Sequence, residues 1–154
     1  MPDDGIGASV LRKEDFRFLT GRGNYTDDIN RPGQTHAVIL RSPHAFAKIN
    51  GIDISAAKSA PGVVAIFTGA DMAADEIGGL PCGWLIHNKD GSPMNEPGHP
   101  PLVTDHVRHV GDQVAVVIAE TRSQARDAAD LIEVDYEVLK ACVDTASADK
   151  DDAA

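Results

Sequence analysis

A chain of 154 residues is about the size of one domain and can bury a core of its own. Its formal net charge of −10, from 24 acidic and 14 basic residues, argues against a nucleic-acid partner and against anionic membranes, because both are bound through Lys and Arg. No apolar run reaches the roughly 20 residues that span a bilayer, and the N-terminus lacks a signal-peptide pattern. We therefore expect one compact cytoplasmic unit in which Cys82 and Cys142 are free thiols.

The first motif along the chain is "GRGNYTDDI" (residues 21–29), whose Gly21 and Gly23 resemble the start of a nucleotide-binding loop. A dinucleotide loop needs a buried strand before its glycines and a helix after them. Here charged residues precede the glycines, and the Asp27 and Asp28 carboxylates would repel a phosphate. The motif therefore predicts a turn whose glycines allow positive φ.

Residues 34–53 read as two strands around a Ser42-Pro43-His44 turn, which predicts a hairpin. Residues 54–62 predict a short helix that Asp53 could cap and that Pro61-Gly62 stops, and the apolar run 63–67 predicts the next strand. Strand, helix and strand together form a βαβ-like unit.

Residues 77–105 are rich in Gly and Pro and contain the only tryptophan, Trp84. Loops of this length are usually functional or disordered. We expect a surface excursion whose apolar residues pack partly against another domain, since an exposed apolar cluster usually marks a contact.

A second strand-helix-strand unit follows. Residues 112–120 form an apolar run typical of a strand buried on both faces, and Thr121 and Gln124 fit a capping box at the start of a helix. The helix spacing places four residues on one face: Ala125, Ala128, Ala129 and Ile132. Residues 133–139 alternate like a strand, with one side made of Val134, Tyr136 and Val138.

Histidine and cysteine positions do not predict a metal site. His106 and His109 enter a predicted strand, where their spacing puts the two rings on opposite faces. Cys82, His87 and His99 share the long loop, but they lack the paired short spacings of zinc sites.

Acid pairs and nucleophile motifs give no assignable catalytic centre either. Adjacent acids such as Asp27-Asp28 and Asp151-Asp152 are typical of solvated turns and tails. Ser42-Pro43-His44 has no Gly-x-Ser-x-Gly elbow around it. The residues alone therefore describe an α/β domain without visible catalytic machinery.

Four segments taken together resemble the N-terminal α/β hammerhead domain of the molybdenum hydroxylases, the family of xanthine dehydrogenase, aldehyde oxidase and the large subunit of carbon monoxide dehydrogenase. They are residues 21–29, 41–53, 60–72 and 107–139. The resemblance runs from Leu11 to Val143 and implies a mixed α/β (α+β) fold with strand-helix-strand units. It implies a hammerhead domain over residues 1–143, followed by an acidic flexible tail, 144–154, and it makes residues 21–25 the turn that leads into the domain.

The resemblance implies molybdopterin and [2Fe-2S] cofactors for the complete enzyme but none in this chain. In the family, the pterin-binding motifs and the glutamate base lie in later domains, and two cysteines cannot supply the four ligands of an iron–sulfur cluster. No catalytic, cofactor-binding or metal residue is therefore assigned, and the isolated chain is expected to be inactive. The expected role is that of a scaffold and interface whose partners are the remaining domains or subunits.

Two other functions stay open. The chain could be a stand-alone binding module that has lost its enzyme context, which the absence of a reading frame for the remaining large subunit would favour. It could also be a small ligand-binding protein that uses the Trp84 loop. The substrate, the oligomeric state and the choice between an excised fragment and a natural small subunit do not follow from the sequence.

Overall fold

The computed structural model describes Gly7, residues 11–148 and Lys150. The chain divides into two compact units, of which the first ends at Gln34 and the second begins at Thr35. Composition predicted one compact unit, which this division contradicts. None of residues 11–34 is buried, so the described part of the first unit has no buried core of its own. The predicted boundary between residues 1–143 and a tail stays a prediction, and tail residues 149 and 151–154 lie outside the described residues.

The first unit contains α1 (Asp15–Leu19) and a 3-10 helix (Thr26–Asp28). The Phe18 and Tyr25 rings stack with their centroids 5.5 Å apart. Gly21 has a φ of +70°, which confirms the predicted turn, whereas Gly23 packs so closely that an added Cβ would lie 3.0 Å from the Phe18 ring. Asp28 accepts the Tyr25 N–H at 2.9 Å and so caps the 3-10 helix, in keeping with the prediction of a turn acid.

Two three-stranded sheets form the second unit. The first sheet has the order β1 (His36–Arg41), β5 (Gln113–Ala119), β3 (Val63–Thr68). The second has the order β4 (His106–Val107), β2 (Ala47–Asp53), β6 (Glu133–Val138). Neighbouring strands in both sheets are antiparallel.

The predicted hairpin over residues 34–53 is wrong, although both of its strands exist. β1 pairs with β5, and β2 pairs with β4 and β6, so the Ser42-Pro43-His44 segment carries the chain from one sheet to the other. The Ser42 N–H donates to the Asp112 carbonyl at 2.8 Å instead of closing a hairpin. A turn signal predicts a change of direction, and it does not select the strand that pairs.

The two predicted strand-helix-strand units have the right order of elements but different pairing. β2, α2 (Ser55–Lys58) and β3 follow one another, as do β5, α4 (Arg122–Ala129) and β6. In both cases the flanking strands belong to different sheets, so neither unit is a parallel βαβ crossover. The mixed α/β class itself is confirmed.

Strand β5 is the centre of the core. Its alternation sends Val114 toward a cluster with Ala47, Ile49, Val103 and Val107 from the second-sheet side. Its odd-numbered residues, Ala115, Val117 and Ala119, join the cluster beneath α4. The predicted strand is confirmed, but only its odd-numbered face is fully buried beyond Gln113, since Val116 and Ile118 on the other face are half-buried. β5 contributes to both clusters.

Helix α4 confirms the predicted apolar face. Ala125 and Ala128 are fully buried, Ala129 is 4% exposed and Ile132 just beyond the helix is 8% exposed. The Thr121 hydroxyl accepts the Gln124 N–H at 3.2 Å, which is one half of the predicted capping box. The other half is replaced by a side-chain bond of 2.8 Å between Thr121 and Gln124.

Two smaller elements differ in detail from the sequence-based expectation. In β6, Val134 and Tyr136 are half-buried, but Val138, which the alternation predicts on the same side, is 62% exposed at the end of the strand. Asp53 accepts the Ser55 N–H at 2.8 Å and so holds the first turn of α2, although the cap position is Ile54.

Helix α3 (Gly69–Ala74) was not predicted. Its signal is present in the sequence, since Thr68 and Asp71 form a reciprocal capping box. Gly69 begins the helix against the Val103 carbonyl, where an added Cβ would overlap that backbone. In the part of the chain that the structure describes, no helix is long and apolar enough to cross a membrane.

Candidate interface

The long excursion is an ordered arm, defined here as residues 77–99. Three backbone hydrogen bonds join its two sides: Leu80 to His99 at 2.8 Å, Met94 to Ile86 at 3.1 Å, and Asn88 to Ser92 at 2.9 Å. His87 and Pro93 also form an isolated antiparallel bridge. The arm therefore resembles an irregular hairpin and is not a structureless connector.

Polar side chains close the tip of the arm. The Asp90 carboxylate accepts both the N–H and the hydroxyl of Ser92, at 2.9 and 2.6 Å, and these hydrogen bonds lower the pKa of Asp90. The Asn88 amide donates to the Ser92 hydroxyl at 2.9 Å and to the Pro93 carbonyl at 3.1 Å. The tip is thus organised by hydrogen bonds of its own residues.

The arm exposes large apolar side chains. Trp84 is 80% exposed, Leu85 61% and Ile86 55%, and Leu80 near the base is 61% exposed. Along residues 77–99, all of which are described, only Met94 reaches even the half-buried class. The arm is therefore ordered without packing its apolar residues into a core.

A second feature is the crossover junction, defined here as residues 41–44 together with residues 108–112. Between them the backbones exchange two bonds of 2.8 Å, from Ser42 N–H to the Asp112 carbonyl and from Gly111 N–H to the Ser42 carbonyl. Arg41 adds a guanidinium bond of 2.8 Å to the Gly111 carbonyl. The junction ties together two of the places where the chain passes between the sheets, after β1 and before β5.

Asp112 is the buried acid of this junction and is only 7% exposed. Its carboxylate accepts the Arg108 N–H at 2.9 Å and lies 3.7 Å from Nδ1 of His109. Burial raises the pKa of Tyr136, and the Asp112 charge acts in the same direction. The Tyr136 ring meets the His44 ring edge-on with centroids 4.9 Å apart, so β6 also packs against the junction.

The Ser42-His44 pair forms a local turn and not a catalytic pair. The Ser42 hydroxyl donates to the His44 carbonyl at 3.1 Å and accepts the His44 N–H at 3.0 Å. These bonds engage the backbone of His44, while its ring contacts Tyr136. The hydroxyl therefore serves the turn and has no base aligned with it.

Among the described residues, the histidines and cysteines are not grouped as metal ligands. His106 begins β4, whereas His109 lies beyond that two-residue strand, so the opposite-face argument does not apply to His109. The His99 and His109 rings are near-parallel with centroids 6.5 Å apart. Over the described residues, no three His, Cys, Asp or Glu side chains are grouped so that they could hold a metal ion.

The cysteines do not fit the iron–sulfur cluster that the resemblance implies for the complete enzyme. A [2Fe-2S] cluster needs four cysteine thiolates, and the chain has two cysteines. Cys82 and Cys142 are both free and exposed; Cys82 lies on the arm and Cys142 beyond β6. We assign no hydroxylation step to residues of this chain.

A groove of about 510 Å³ lies beside the crossover junction. It is lined by Phe46, Arg108, His109 and Cys142 and by four aliphatic neighbours. Trp84 does not line it, so the groove gives no support to a small-ligand site built on the Trp84 loop.

The comparisons with known proteins agree with the fold. Residues 20–140 match the family described as the aldehyde oxidase and xanthine dehydrogenase a/b hammerhead domain. The chain is 43% identical over 139 residues to the nicotine 6-hydroxylase large subunit of Paenarthrobacter nicotinovorans, covering 90% of this chain and 16% of that protein.

Two crystal structures have the same fold. The first is Cu,Mo-CO dehydrogenase in its carbon monoxide reduced state, with a TM-score of 0.77 and 37% identity over 96% of this chain and 17% of the matched chain. The second is quinoline 2-oxidoreductase from Pseudomonas putida 86, with a TM-score of 0.77 and 42% identity over 91% of this chain and 17% of the matched chain.

The chain belongs to the a/b hammerhead domain family of aldehyde oxidase and xanthine dehydrogenase. It spans about one sixth of the length of these relatives, with shares of 16% and 17%.

The sequence predicted this family and the exposed arm residues, but it did not predict the internal hydrogen bonds of the arm or the role of Asp112. The Asp90-Gly91-Ser92 turn was a usable signal for the arm, whereas the junction depends on residues 70 positions apart, such as Arg41 and Gly111.

Proposed function

We propose that this chain is a scaffold and interface domain of a molybdenum hydroxylase large subunit and contains no catalytic centre of its own. One observation carries the proposal. Nearly the whole chain matches a segment that makes up about one sixth of each of these longer oxidoreductase chains. In this proposal, molybdopterin and [2Fe-2S] centres are held by the remaining domains or subunits. The reaction is the insertion of water-derived oxygen into a carbon substrate whose identity is set outside this chain.

The architecture supports a scaffold role. One central strand serves two core clusters, a helix closes one cluster with alanines, and the crossover junction fastens the two sheets. Such a body can position neighbouring domains, and catalytic geometry is sensitive to displacements near about 1 Å. The proposal keeps the cytoplasm as the compartment, where exposed thiols such as Cys82 and Cys142 stay reduced.

The decisive experiment is reconstitution. We expect residues 1–145 co-expressed with the remainder of the large subunit, from the same host, to give a stable and coloured complex. The remainder alone should be poorly soluble or inactive. Full activity of the remainder without this chain would contradict the scaffold role and favour the stand-alone binding module.

Elemental analysis tests the second half of the proposal. The purified chain should contain neither molybdenum nor iron in stoichiometric amount, because the proposal places the pterin-held molybdenum in the remaining domains and two cysteines cannot ligate an iron–sulfur cluster. Stoichiometric molybdenum or iron in the isolated chain would refute the proposal that the cofactors are held elsewhere.

A further inference from the structure

We infer that the arm is a docking element whose exposed apolar side chains, Trp84, Leu85 and Ile86, bind the remainder of the large subunit. The inference rests on the proposed function and identifies the surface through which it operates. The partner is a protein surface that offers an apolar pocket for an indole ring.

The arm is preformed for binding. Its cross-arm hydrogen bonds and the closed tip at Asp90 and Ser92 give it a defined backbone without any contribution from a buried core. A segment that is ordered before it binds loses less conformational entropy on association than a disordered one. The internal order therefore favours recognition over a purely connecting role.

The arm also presents what a docking surface needs. Trp84, Leu85 and Ile86 are consecutive and between 55% and 80% exposed, and aromatic anchors of this kind dominate binding energies. Exposed apolar residues that occur singly need no explanation, whereas several of them close together in the chain favour an interaction site. The arm thus carries apolar surface that its own chain does not cover.

The relatives indicate what covers it. They are about six times as long as this chain, so in a protein of that size most of the surface available to the arm belongs to other domains. A second copy of the chain is a poorer occupant, because each copy carries a formal charge of −10 and two copies repel. We therefore assign the arm to the remainder of the large subunit.

The test uses the full chain with its one tryptophan replaced by 5-fluorotryptophan, so that fluorine NMR reports on Trp84 alone. Adding the unlabelled remainder, kept soluble by a fusion partner, should shift the single resonance and remove its dependence on solvent isotope. Leu85→Ser should weaken association by roughly 30-fold or more, as expected for a central apolar contact.

Val64→Ser is the matched control. Val64 is 60% exposed, close to the 61% of Leu85, but it lies on β3 and not on the arm. It should leave association within roughly threefold of the unmodified chain. Equal weakening by the two substitutions would overturn the inference, because the arm would then have no special part in binding.

Failure of the proposed function and failure of the docking inference give different results. If the unmodified chain does not associate with the remainder, the proposed function fails and the inference with it. If it associates while Leu85→Ser binds equally well and the Trp84 resonance does not move, only the docking inference fails. Concentration-dependent self-association of the chain, abolished by Leu85→Ser, would instead assign the arm to a second copy and overturn the inference.

Discussion

Helix α4 and the arm show two ways in which this chain orders its residues. Helix α4 contributes small side chains that are buried, with Ala125 and Ala128 fully enclosed against the first sheet. The arm contributes large apolar side chains that stay exposed, and hydrogen bonds within the arm hold its backbone. Burial therefore stabilises the body, whereas the arm keeps its largest apolar groups available to a partner.

The comparison predicts that substitutions in the two regions have different costs. In the body, a changed side chain meets atoms that cannot move away, because protein interiors are close-packed. On the arm, a changed side chain meets water, so the free energy of unfolding of the isolated chain stays nearly constant. Four predictions, in order of decreasing effect, test this difference.

Overpacking beneath α4 should have the largest effect. Ala125→Leu adds three carbon atoms at a fully buried position and should lower the free energy of unfolding by about 3 kcal/mol. Arg126→Ala, at the exposed neighbouring position, should change it by less than about 0.5 kcal/mol. Chemical denaturation measures both, and the reverse ranking would show that the assigned helix face is wrong.

Removing the buried acid of the crossover junction should come next. Asp112→Ala leaves the Arg108 N–H without its acceptor and should cost about 2 kcal/mol in the free energy of unfolding. Asp130→Ala removes a carboxylate from an exposed position and serves as the control. Equal stability of the two variants in urea would show that the junction does not depend on this carboxylate.

Lowering the pH should weaken the hydrogen bonds that Asp71 accepts in the body and those that Asp90 accepts on the arm. Hydrogen bonds from the Thr68 N–H and hydroxyl lower the pKa of Asp71, and equivalent bonds from Ser92 lower the pKa of Asp90. Both carboxylates therefore stabilise the folded chain above their ordinary pKa of 3.8, and this contribution is lost as the pH falls below that value.

Amide hydrogen exchange between pH 5 and pH 3, corrected for the intrinsic rate, measures this loss at Thr68 and Ser92. Asp71→Asn should remove the pH dependence at Thr68 while Ser92 keeps its own, and Asp90→Asn should do the reverse. If Thr68 exchange keeps the same pH dependence in Asp71→Asn, the cap assigned to this carboxylate is wrong.

The smallest effect on stability should come from the most exposed aromatic side chain. Trp84→Ser should change the free energy of unfolding of the isolated chain by less than about 0.5 kcal/mol, because the indole ring is 80% exposed.

Limited proteolysis should cut the isolated chain within residues 77–99 and after residue 143 before it cuts the sheets. Uniform protection of the arm, or a large loss of stability in Trp84→Ser, would place the arm in the core and end the contrast with α4.

The family and the position of most strands could be predicted because they depend on local patterns. Residues 113–119 form a strand whose apolar run is visible without any partner, and Ala125, Ala128 and Ala129 follow the helical repeat. The exposed arm was predicted from its Gly, Pro and Trp content. The internal hydrogen bonds of the arm were not, since they join residues such as Leu80 and His99 across an irregular backbone.

The sequence by itself determined where most of the strands and α4 lie, which face of α4 is apolar, and which family the chain resembles, because periodicity and short motifs are properties of neighbouring residues. Only the tertiary structure decided that β1 and β2 belong to different sheets and that Asp112 is enclosed between Ser42 and Arg108. Strand pairing depends on which of several apolar faces bury each other, and that choice is made by contacts between residues far apart in the chain.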